Sequence, residues 1–440
     1  MEVNVAGTTI FYPSTSPFNE DHILPLSHLD NDRNLAVTFR YLRVYAATNI
    51  NNPTADPFQV ITSVLSPTLV DYYPLTGSLR RRTDGRLELH CAAGDGLPVV
   101  RASVDCTLES VGYLNDPSAD WIEKLAPNPD HDSSLETPAM LQVTVFSCGG
   151  FVLGTALHHA MCDGMGATLF FNSMAELARG ETRIKVKPVW DRTTLLGPRN
   201  PPIVEFPMEE VLCLDKEFSP YAAEDEPVIR QCFEVKEKWL DLLKAFLVQQ
   251  SGSNYTSFEA LGAFLWRARV KASRIAGDEK VKYVYATNIR RTVQPPLPFG
   301  YWGNGCVPIF AQAIAKEILE KPIWETAELI KKSKGSITNE YVRSFVDFQE
   351  VNYEKGITGG KEVSGFTDWR HLGHSSVDFG WGGPLTVFPI SRYIIGSPEP
   401  TFFLPYSAAK DGFKVMVHLK KSAIPAFKDE MEKLSTQHFN

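Results

Sequence analysis

A strand–turn–strand pattern over residues 141–157 constrains the fold most. Apolar and polar residues alternate over residues 141–145, two glycines follow at 149 and 150, and residues 151–157 are largely apolar. Alternation with a period of two predicts a half-buried strand, and a glycine pair suits the tight turn that joins two antiparallel strands. The pattern therefore predicts a β-hairpin whose second strand ends at residue 157 or 158.

This hairpin leads into the segment 158–164, which has the sequence HHAMCDG. His159 stands at the end of the strand, and Asp163 and Gly164 follow it before a helical pattern begins. An imidazole with a pKa near 6.5 can accept a hydroxyl or thiol proton at neutral pH. His158 is the strand neighbour of His159, so it should point the other way and have a structural role. The segment predicts a general base at His159.

Two other interpretations of this segment stay open. A buried histidine can serve only to satisfy a hydrogen bond in the core, and Cys162 can be considered as a nucleophilic thiol. Side chains alternate across a strand and then turn into a helix, so Cys162 need not share the direction of His159. A second motif, DFGWG at residues 378–382, favours the catalytic interpretation of His159 when the two are taken together.

Composition limits the class of protein. A chain of 440 residues suggests two or three domains, and its net charge of −8 argues against binding to nucleic acid. No run of 18 apolar residues exists, so we expect no membrane span. The seven cysteines are scattered without a CxxC pair, which favours reduced thiols in a cytoplasmic protein and predicts no metal site.

Helical and strand patterns alternate in both halves, which predicts an α/β fold with largely mixed sheets. A proline-rich segment, 186–220, separates them and is interpreted as a crossover linker. We therefore predict an N-terminal domain over 1–185 and a C-terminal domain over 221–440. In the latter, Thr256 and Glu259 form a capping-box pattern at the start of a helix.

Four segments together resemble one known family. HxxxDG at residues 159–164, DFGWG at 378–382, YPLTG at 73–77 and NIR at 288–290 are similar to motifs of the plant BAHD acyl-CoA-dependent acyltransferases, in the same order and spacing. Peptide-synthetase condensation domains share HHxxxDG and are related in fold, but DFGWG favours the BAHD family. The resemblance spans residues 10–435.

The resemblance implies a fold of two similar-sized, chloramphenicol-acetyltransferase-like domains. Each would contain a mixed β-sheet with flanking helices, and a long crossover loop would join them. Acyl-CoA would enter a channel from one face and the acceptor from the other, with His159 midway. The implied cosubstrate is acyl-CoA, with no bound cofactor and no metal.

The resemblance also implies roles for single residues. Asp163 belongs with His159 to the catalytic motif, but it would turn away from the ring and pair with Arg290, which would leave backbone carbonyls to orient His159 Nδ1. Thr367 and Trp369 resemble a segment whose hydroxyl and indole N–H face the oxyanion of the reaction intermediate.

The DFGWG motif carries no plausible base, so we interpret Asp378, Gly380, Trp381 and Gly382 as structural residues near the site. A tryptophan between two glycines suits a tight backbone path with a large packing anchor.

Substrate contacts are assigned to two groups of residues. Thr256 and Ser257, at a helix N-terminus, are candidates for binding CoA phosphate together with Arg291, although capping explains Thr256 equally well. Phe39 and Tyr41 are candidates for the wall of the acceptor pocket.

The sequence is most similar in appearance to taxane, terpenoid and phenylpropenyl alcohol acyltransferases. We therefore expect transfer of an acyl group, with acetyl first, to a hydroxyl of a lipophilic plant metabolite by a monomeric enzyme. The alternatives are an N-acyltransferase that acts on a polyamine with an aromatic acyl-CoA, and a non-catalytic binding protein with the same fold.

Overall fold

The computed structural model describes residues 1–47, 55–219, 225–391, 397, 399–405, 411–437 and 439. These residues form two compact units of similar size. Unit 1 comprises the described residues of Met1–Pro198, Pro296–Gly305 and Arg370–Ser391, and unit 2 those of Arg199–Pro295, Cys306–Trp369 and Arg392–Asn440.

Unit 1 thus includes two segments from later in the chain, so the two units are not consecutive ranges of the sequence. The domain boundaries after 185 and 220 stay predictions, and residues 220–224 lie outside the described residues.

The strands alternate along the chain with helices in both units. They are β1 Asn4–Phe11, β2 His22–Pro25, β3 Thr38–Tyr45, β4 Ser78–Arg81, β5 Leu87–Cys91, β6 Leu97–Val104, β7 Ala139–Phe146, β8 Phe151–His158, β9 Cys213–Leu214, β10 Val228–Val235, β11 Lys280–Asn288, β12 Cys306–Ile314, β13 Ile357–Thr358, β14 Val363–Asp368, β15 Thr386–Pro389, β16 Thr401–Pro405 and β17 Phe413–Lys420.

The helices are α1 Pro57–Asp71, α2 His131–Glu136, α3 Gly164–Ala178, α4 Thr193–Leu196, α5 Glu237–Ser251, α6 Ser257–Ala272, α7 Ala315–Glu320, α8 Ile323–Gly335, α9 Asn339–Asn352 and α10 Ile424–Thr436. Short 3-10 turns lie at Arg33–Leu35, Tyr73–Thr76, Glu109–Leu114, Asp120–Leu125, Met208–Glu210, Tyr353–Lys355, His374–Ser376 and Lys421–Ala423.

The main sheet of unit 1 has the strand order β1-β6-β7-β8-β3-β15. Strands β6 and β7 are parallel and the other neighbours are antiparallel, so the sheet is mixed as predicted. The predicted hairpin is β7–β8, closed by a hydrogen bond of 2.8 Å from Phe146 N–H to Gly150 O. Gly149 has φ +83°, a left-handed conformation in which glycine is unstrained.

Strand β8 leads to the catalytic candidate, His159, and every one of its residues is buried. A strand buried on both faces reads as a continuous apolar run, which explains the sequence of residues 151–157. Its register on β3 places Thr38 opposite His158 and Phe39 opposite Leu157. The strand is therefore fixed on both sides up to the residue before His159.

Unit 2 contains a second mixed sheet, with the order β10-β17-β16-β14-β11-β12. The predicted capping box is present, since Thr256 and Glu259 bond each other's backbone N–H at the start of α6. Strand β10 ends at Val235, and α5 begins at Glu237. Two sheets with flanking helices confirm the predicted fold class.

Candidate active site

The backbone around His159 is held at three points within unit 1. The His159 N–H donates to Val37 O at 2.8 Å, and the His159 carbonyl accepts from Asn304 Nδ2 at 2.8 Å. The next carbonyl, of Ala160, accepts from Arg192 Nη1 at 3.5 Å. The chain leaves β8 here without a regular hydrogen-bond ladder, so these contacts fix the position from which the imidazole projects.

The imidazole of His159 packs edge-on against Phe39, with ring centroids 5.9 Å apart and planes at 77°. Its Nδ1 atom is buried and makes no hydrogen bond within the described residues. The orientation of Nδ1 by backbone carbonyls stays a prediction.

Burial lowers the pKa of the His159 imidazole below its ordinary value. The histidine's own backbone carbonyl, the carboxylates of Asp163 and Asp30, and the Asn304 side chain act in the opposite direction and raise this pKa. Because burial dominates, the imidazole is neutral at pH 7. A neutral imidazole is the form that can accept a proton.

The neighbouring His158 is completely buried, and its Nδ1 accepts a hydrogen bond of 3.3 Å from Ala160 N–H. Burial lowers the pKa of His158 to about 3. A histidine enclosed in the core beside the turn supports the structural role that we predicted for it.

The carboxylate of Asp163 caps helix α3. Its Oδ1 accepts from Gly166 N–H and its Oδ2 from Gly305 N–H, each at 2.9 Å. Through these two bonds Asp163 fixes the turn that follows the histidine. Its pairing with Arg290 stays a prediction.

Cys162 is 3% exposed and packs against the first turn of α3. A Cβ atom added to Gly166 would lie 2.7 Å from Cys162 Cβ and 3.3 Å from its Sγ. The thiol is enclosed beside this helix, which gives the nucleophile interpretation no support.

Sequence reasoning missed three polar residues of this site: Asp30, Arg192 and Asn304. All three are buried, and a carboxylate, a guanidinium and an amide form one connected network beneath His159. One signal in the sequence indicated Asn304, because it stands between two glycines, Gly303 and Gly305. In the structure both glycines contact Asp163 through their backbones.

The two acceptor-pocket candidates lie on the same face of β3, two residues apart. Phe39 contacts the His159 ring, whereas Tyr41 is 4% exposed and packs against Phe171 with centroids 6.4 Å apart. Burial raises the pKa of the Tyr41 phenol. Phe39 is thus the candidate that the structure brings to the histidine; both pocket roles stay predictions.

The DFGWG segment packs against the start of strand β8, at the end opposite to His159. Trp381 contacts Phe151, the first residue of β8, and Asp378 Oδ1 accepts from Gly380 N–H at 2.7 Å. Gly380 and Gly382 have φ of +108° and +77°, values that few side-chain-bearing residues adopt. This geometry supports a structural role for the segment.

The remaining candidates belong to unit 2, where each is described by itself. Thr367 lies in β14, and Trp369 follows the strand with its ring edge-on to Phe402 at 5.6 Å. Arg290 is buried and Arg291 is exposed.

At the N-terminus of α6, the Thr256 hydroxyl accepts from Glu259 N–H at 3.3 Å. Capping therefore accounts for Thr256. The CoA-binding role of Thr256 and Ser257 and the oxyanion role of Thr367 and Trp369 stay predictions.

The residues that the structure describes hold no group of three or more His, Cys, Asp or Glu side chains arranged to bind a metal ion. None of their helices is both long enough and apolar enough to span a membrane.

Comparison with known proteins gives a consistent picture. Residues 1–434 match the Transferase family. The chain is 34% identical to omega-hydroxypalmitate O-feruloyl transferase of Arabidopsis thaliana, over 92% of this chain and 88% of that one. It is 34% identical to spermidine sinapoyl-CoA acyltransferase of Arabidopsis thaliana, over 93% of both chains. Identity to taxadien-5-alpha-ol O-acetyltransferase of Taxus chinensis is 31%, over 94% and 93%.

Solved structures share the fold. Vinorine synthase superposes with a TM-score of 0.76 over 98% of both chains at 22% identity. F. graminearum TRI101, in complex with ethyl coenzyme A, superposes with a TM-score of 0.77 over 94% of this chain and 98% of that one, at 16% identity.

Proposed function

Because this chain belongs to the Transferase (BAHD) family of acyl-CoA-dependent acyltransferases, we propose that it acylates a hydroxyl of a lipophilic plant metabolite with His159 as general base. Acyl-CoA is the cosubstrate, and the second substrate is a small-molecule acceptor. The proposed acceptor is a terpenoid or phenylpropanoid alcohol, and the proposed acyl group is acetyl.

The observation that carries this proposal is the state of His159. Its backbone is fixed at a strand end by Val37 and Asn304, and burial keeps its pKa below the ordinary value. Since Nδ1 is the enclosed ring nitrogen, we assign Nε2 as the proton acceptor. A fixed, neutral imidazole is what general-base catalysis requires.

The proposed reaction has two proton transfers. His159 Nε2 takes the proton from the acceptor hydroxyl as its oxygen attacks the thioester carbonyl, and a tetrahedral oxyanion forms. When this intermediate collapses, the C–S bond breaks, and the imidazolium returns the proton to the departing CoA thiolate. Thr367 and Trp369 are the proposed donors to the oxyanion.

The names of two relatives support oxygen as the atom that is acylated. The taxadien-5-alpha-ol and omega-hydroxypalmitate enzymes are both named as O-acyltransferases, and both scaffolds are lipophilic. The taxadienol relative transfers acetyl, which supports acetyl-CoA as the donor.

A second candidate function is acylation of an amine. A spermidine sinapoyl-CoA acyltransferase is as similar in identity as the feruloyl transferase, at 34%. An ammonium acceptor calls for carboxylates in its pocket, and the two candidates for the wall of the acceptor pocket, Phe39 and Tyr41, carry no negative charge. This favours the alcohol.

The proposal is tested with purified protein and acetyl-, benzoyl-, hydroxycinnamoyl- and malonyl-CoA. Each donor is offered with cinnamyl-type alcohols, polycyclic terpenoid alcohols and spermidine, and products are read by mass spectrometry. We expect an acetyl ester of a lipophilic alcohol. A preference for spermidine or malonyl-CoA would overturn the acceptor or donor assignment, and no transfer to any acceptor would favour a non-catalytic binding protein.

The role of His159 has its own control. His159→Ala should reduce kcat by at least about a hundredfold, the usual scale for loss of a general base. His90→Ala removes a partly buried histidine that contacts Glu88, outside the site, and should keep wild-type transfer. Similar losses in both variants would contradict the assignment.

A monomeric state and a cytoplasmic location complete the proposal. Size-exclusion chromatography with light scattering and a fluorescent fusion in plant cells test them.

A further inference from the structure

We propose that Asp30 is a positioning residue for the general base: it holds the two donors that fix the consecutive carbonyls of His159 and Ala160. The inference rests on the proposed function, because it assigns a residue to the same site. Asp30 lies in none of the motifs that carry the resemblance.

The carboxylate of Asp30 is completely buried, and both of its oxygens accept hydrogen bonds. Its Oδ1 accepts from both the backbone N–H and the side-chain Nδ2 of Asn304, at 2.7 and 2.9 Å. Its Oδ2 accepts from the N–H and hydroxyl of Ser27, at 3.0 and 2.7 Å, and lies 3.3 Å from Arg192 Nη1. The side chains of Asp30 and Arg192 are 0% and 2% exposed.

The two larger partners of Asp30 are the donors to the catalytic turn. The same Asn304 Nδ2 that bonds Asp30 donates to His159 O at 2.8 Å. The same Arg192 Nη1 that faces Asp30 donates to Ala160 O at 3.5 Å. One carboxylate thus orients an amide and a guanidinium that hold two successive peptide units of the turn.

This arrangement explains why a charge is buried here. A buried ion pair rarely adds stability over apolar residues of the same volume, and loss of one partner leaves an uncompensated charge. A buried network is therefore best understood by what it positions. Here it fixes the peptide that carries the imidazole, and a misplacement of about 1 Å can cost a hundredfold in rate.

Asp30 also acts on the ring electrostatically. Several groups surround His159: Asp163 in the following turn, His158 in β8, Arg192 and Asn304 in the network, and the apolar Phe39 in β3. The Asp30 carboxylate raises the pKa of His159, against the effect of burial. Removing this charge should therefore lower the pKa.

The principal test is Asp30→Asn, which keeps the shape and removes the charge. We expect kcat to fall about tenfold to a hundredfold, with the KM for acyl-CoA within about twofold of wild type. The acid limb of the kcat/KM profile should move to lower pH, because the imidazole is easier to deprotonate.

Asp347→Asn is the matched control. Asp347 is also a buried carboxylate paired with an arginine, Arg199, and its side chain is 1% exposed, but it lies in unit 2. This variant should lose stability without moving the acid limb. A folded Asp30→Asn enzyme with the wild-type kcat and acid limb, or the same acid-limb shift in Asp347→Asn, would overturn the proposal.

Two further measurements make the test independent of folding and of activity. Asn304→Leu removes the amide link but leaves the Asp30 carboxylate, so kcat should fall; if Asp30→Asn does not fold, a wild-type kcat in this variant refutes the proposal. An NMR titration of the His159 imidazole in wild type and Asp30→Asn reports the pKa directly. A wild-type protein without transferase activity but with the predicted pKa shift would contradict the proposed function alone.

Discussion

The indole of Trp381 packs edge-on against Phe151, with ring centroids 5.1 Å apart and planes at 75°. Phe151 begins strand β8, and His159 follows the end of that strand. At about 3.3 Å per residue, the eight steps between them span roughly 26 Å. The DFGWG segment therefore packs against the end of β8 that lies farthest from His159.

This contact predicts that Trp381 contributes mainly to stability. Trp381 is 5% exposed, and truncating a buried aromatic side chain typically costs about 3–5 kcal/mol. Trp381→Ala should lose about this much in denaturant unfolding, and Trp381→Phe, which keeps the edge-on ring, should lose less. Trp239→Ala, at a partly exposed position, is the control and should lose the least. Equal stability of Trp381→Ala and wild type would exclude the anchoring role.

The two aspartates that cap helices α2 and α3 provide a matched comparison. Asp163 accepts from two backbone N–H groups and is 6% exposed, whereas Asp130 is an exposed cap that bonds Ser133 N–H. Asp163→Asn places an amide N–H against one of these donors and should cost about 2 kcal/mol or more. Asp130→Asn keeps a good cap, so its midpoint of thermal unfolding should hardly change. Similar losses at both positions would show that the second bond, to Gly305, contributes nothing.

His158 makes stability depend on pH. Its pKa is about 3 in the folded protein, below the ordinary value near 6.5 of an unfolded chain. Between these values the unfolded state binds the extra proton, so the free energy of unfolding falls as pH falls from about 6.5 towards 3. His158→Phe should flatten this slope by up to about 1.4 kcal/mol per pH unit, measured by urea unfolding. His159 and His374, whose pKa values burial also lowers, contribute to the slope that remains; an unchanged slope would contradict the prediction.

Local patterns predicted the elements that place His159. The alternation in residues 141–145 and the apolar run after the glycine pair gave β7 and β8, and helical spacing after the motif gave α3. Each of these signals lies within one element or one turn, where side-chain period and backbone preference decide the structure. The position of the histidine at a strand end follows from them directly.

The network beneath His159 could not be predicted in this way. Asn304 is 145 residues from His159 along the chain and 274 from Asp30, and such contacts depend on how distant segments pack. Strand β15 is a further example, because it joins the sheet beside β3 although residues 386–389 lie far along the chain. Apart from the two glycines that flank Asn304, the sequence carries no signal for these pairings, since each residue type is ordinary where it stands.

Burial of His159 sets the pH dependence of transfer. Because its pKa lies below the ordinary histidine value, the neutral base persists to a lower pH than an exposed histidine would allow. The acid limb of kcat/KM should therefore lie below pH about 6.5. The measurement is initial rate against pH with the acceptor well below its KM, so that the profile reports the free enzyme. An acid limb above this value would mean that a different group controls the rate.

Trp369→Phe tests whether the indole N–H stabilises the oxyanion. The ring is held by packing, since Trp369 is 6% exposed, contacts Phe402 edge-on and donates its backbone N–H to Phe403 O at 2.8 Å. Phenylalanine keeps an aromatic ring in this setting and removes the side-chain donor. If the donor meets the oxyanion, kcat should fall by a factor that corresponds to about 2–4 kcal/mol, with little change in acyl-CoA affinity. Trp266→Phe measures the packing loss alone, because Trp266 is fully buried and its Nε1 makes no hydrogen bond in the described part of the chain. Equal kcat values for the two variants would leave Trp369 as a packing residue, because only a donor that acts in the transition state separates them.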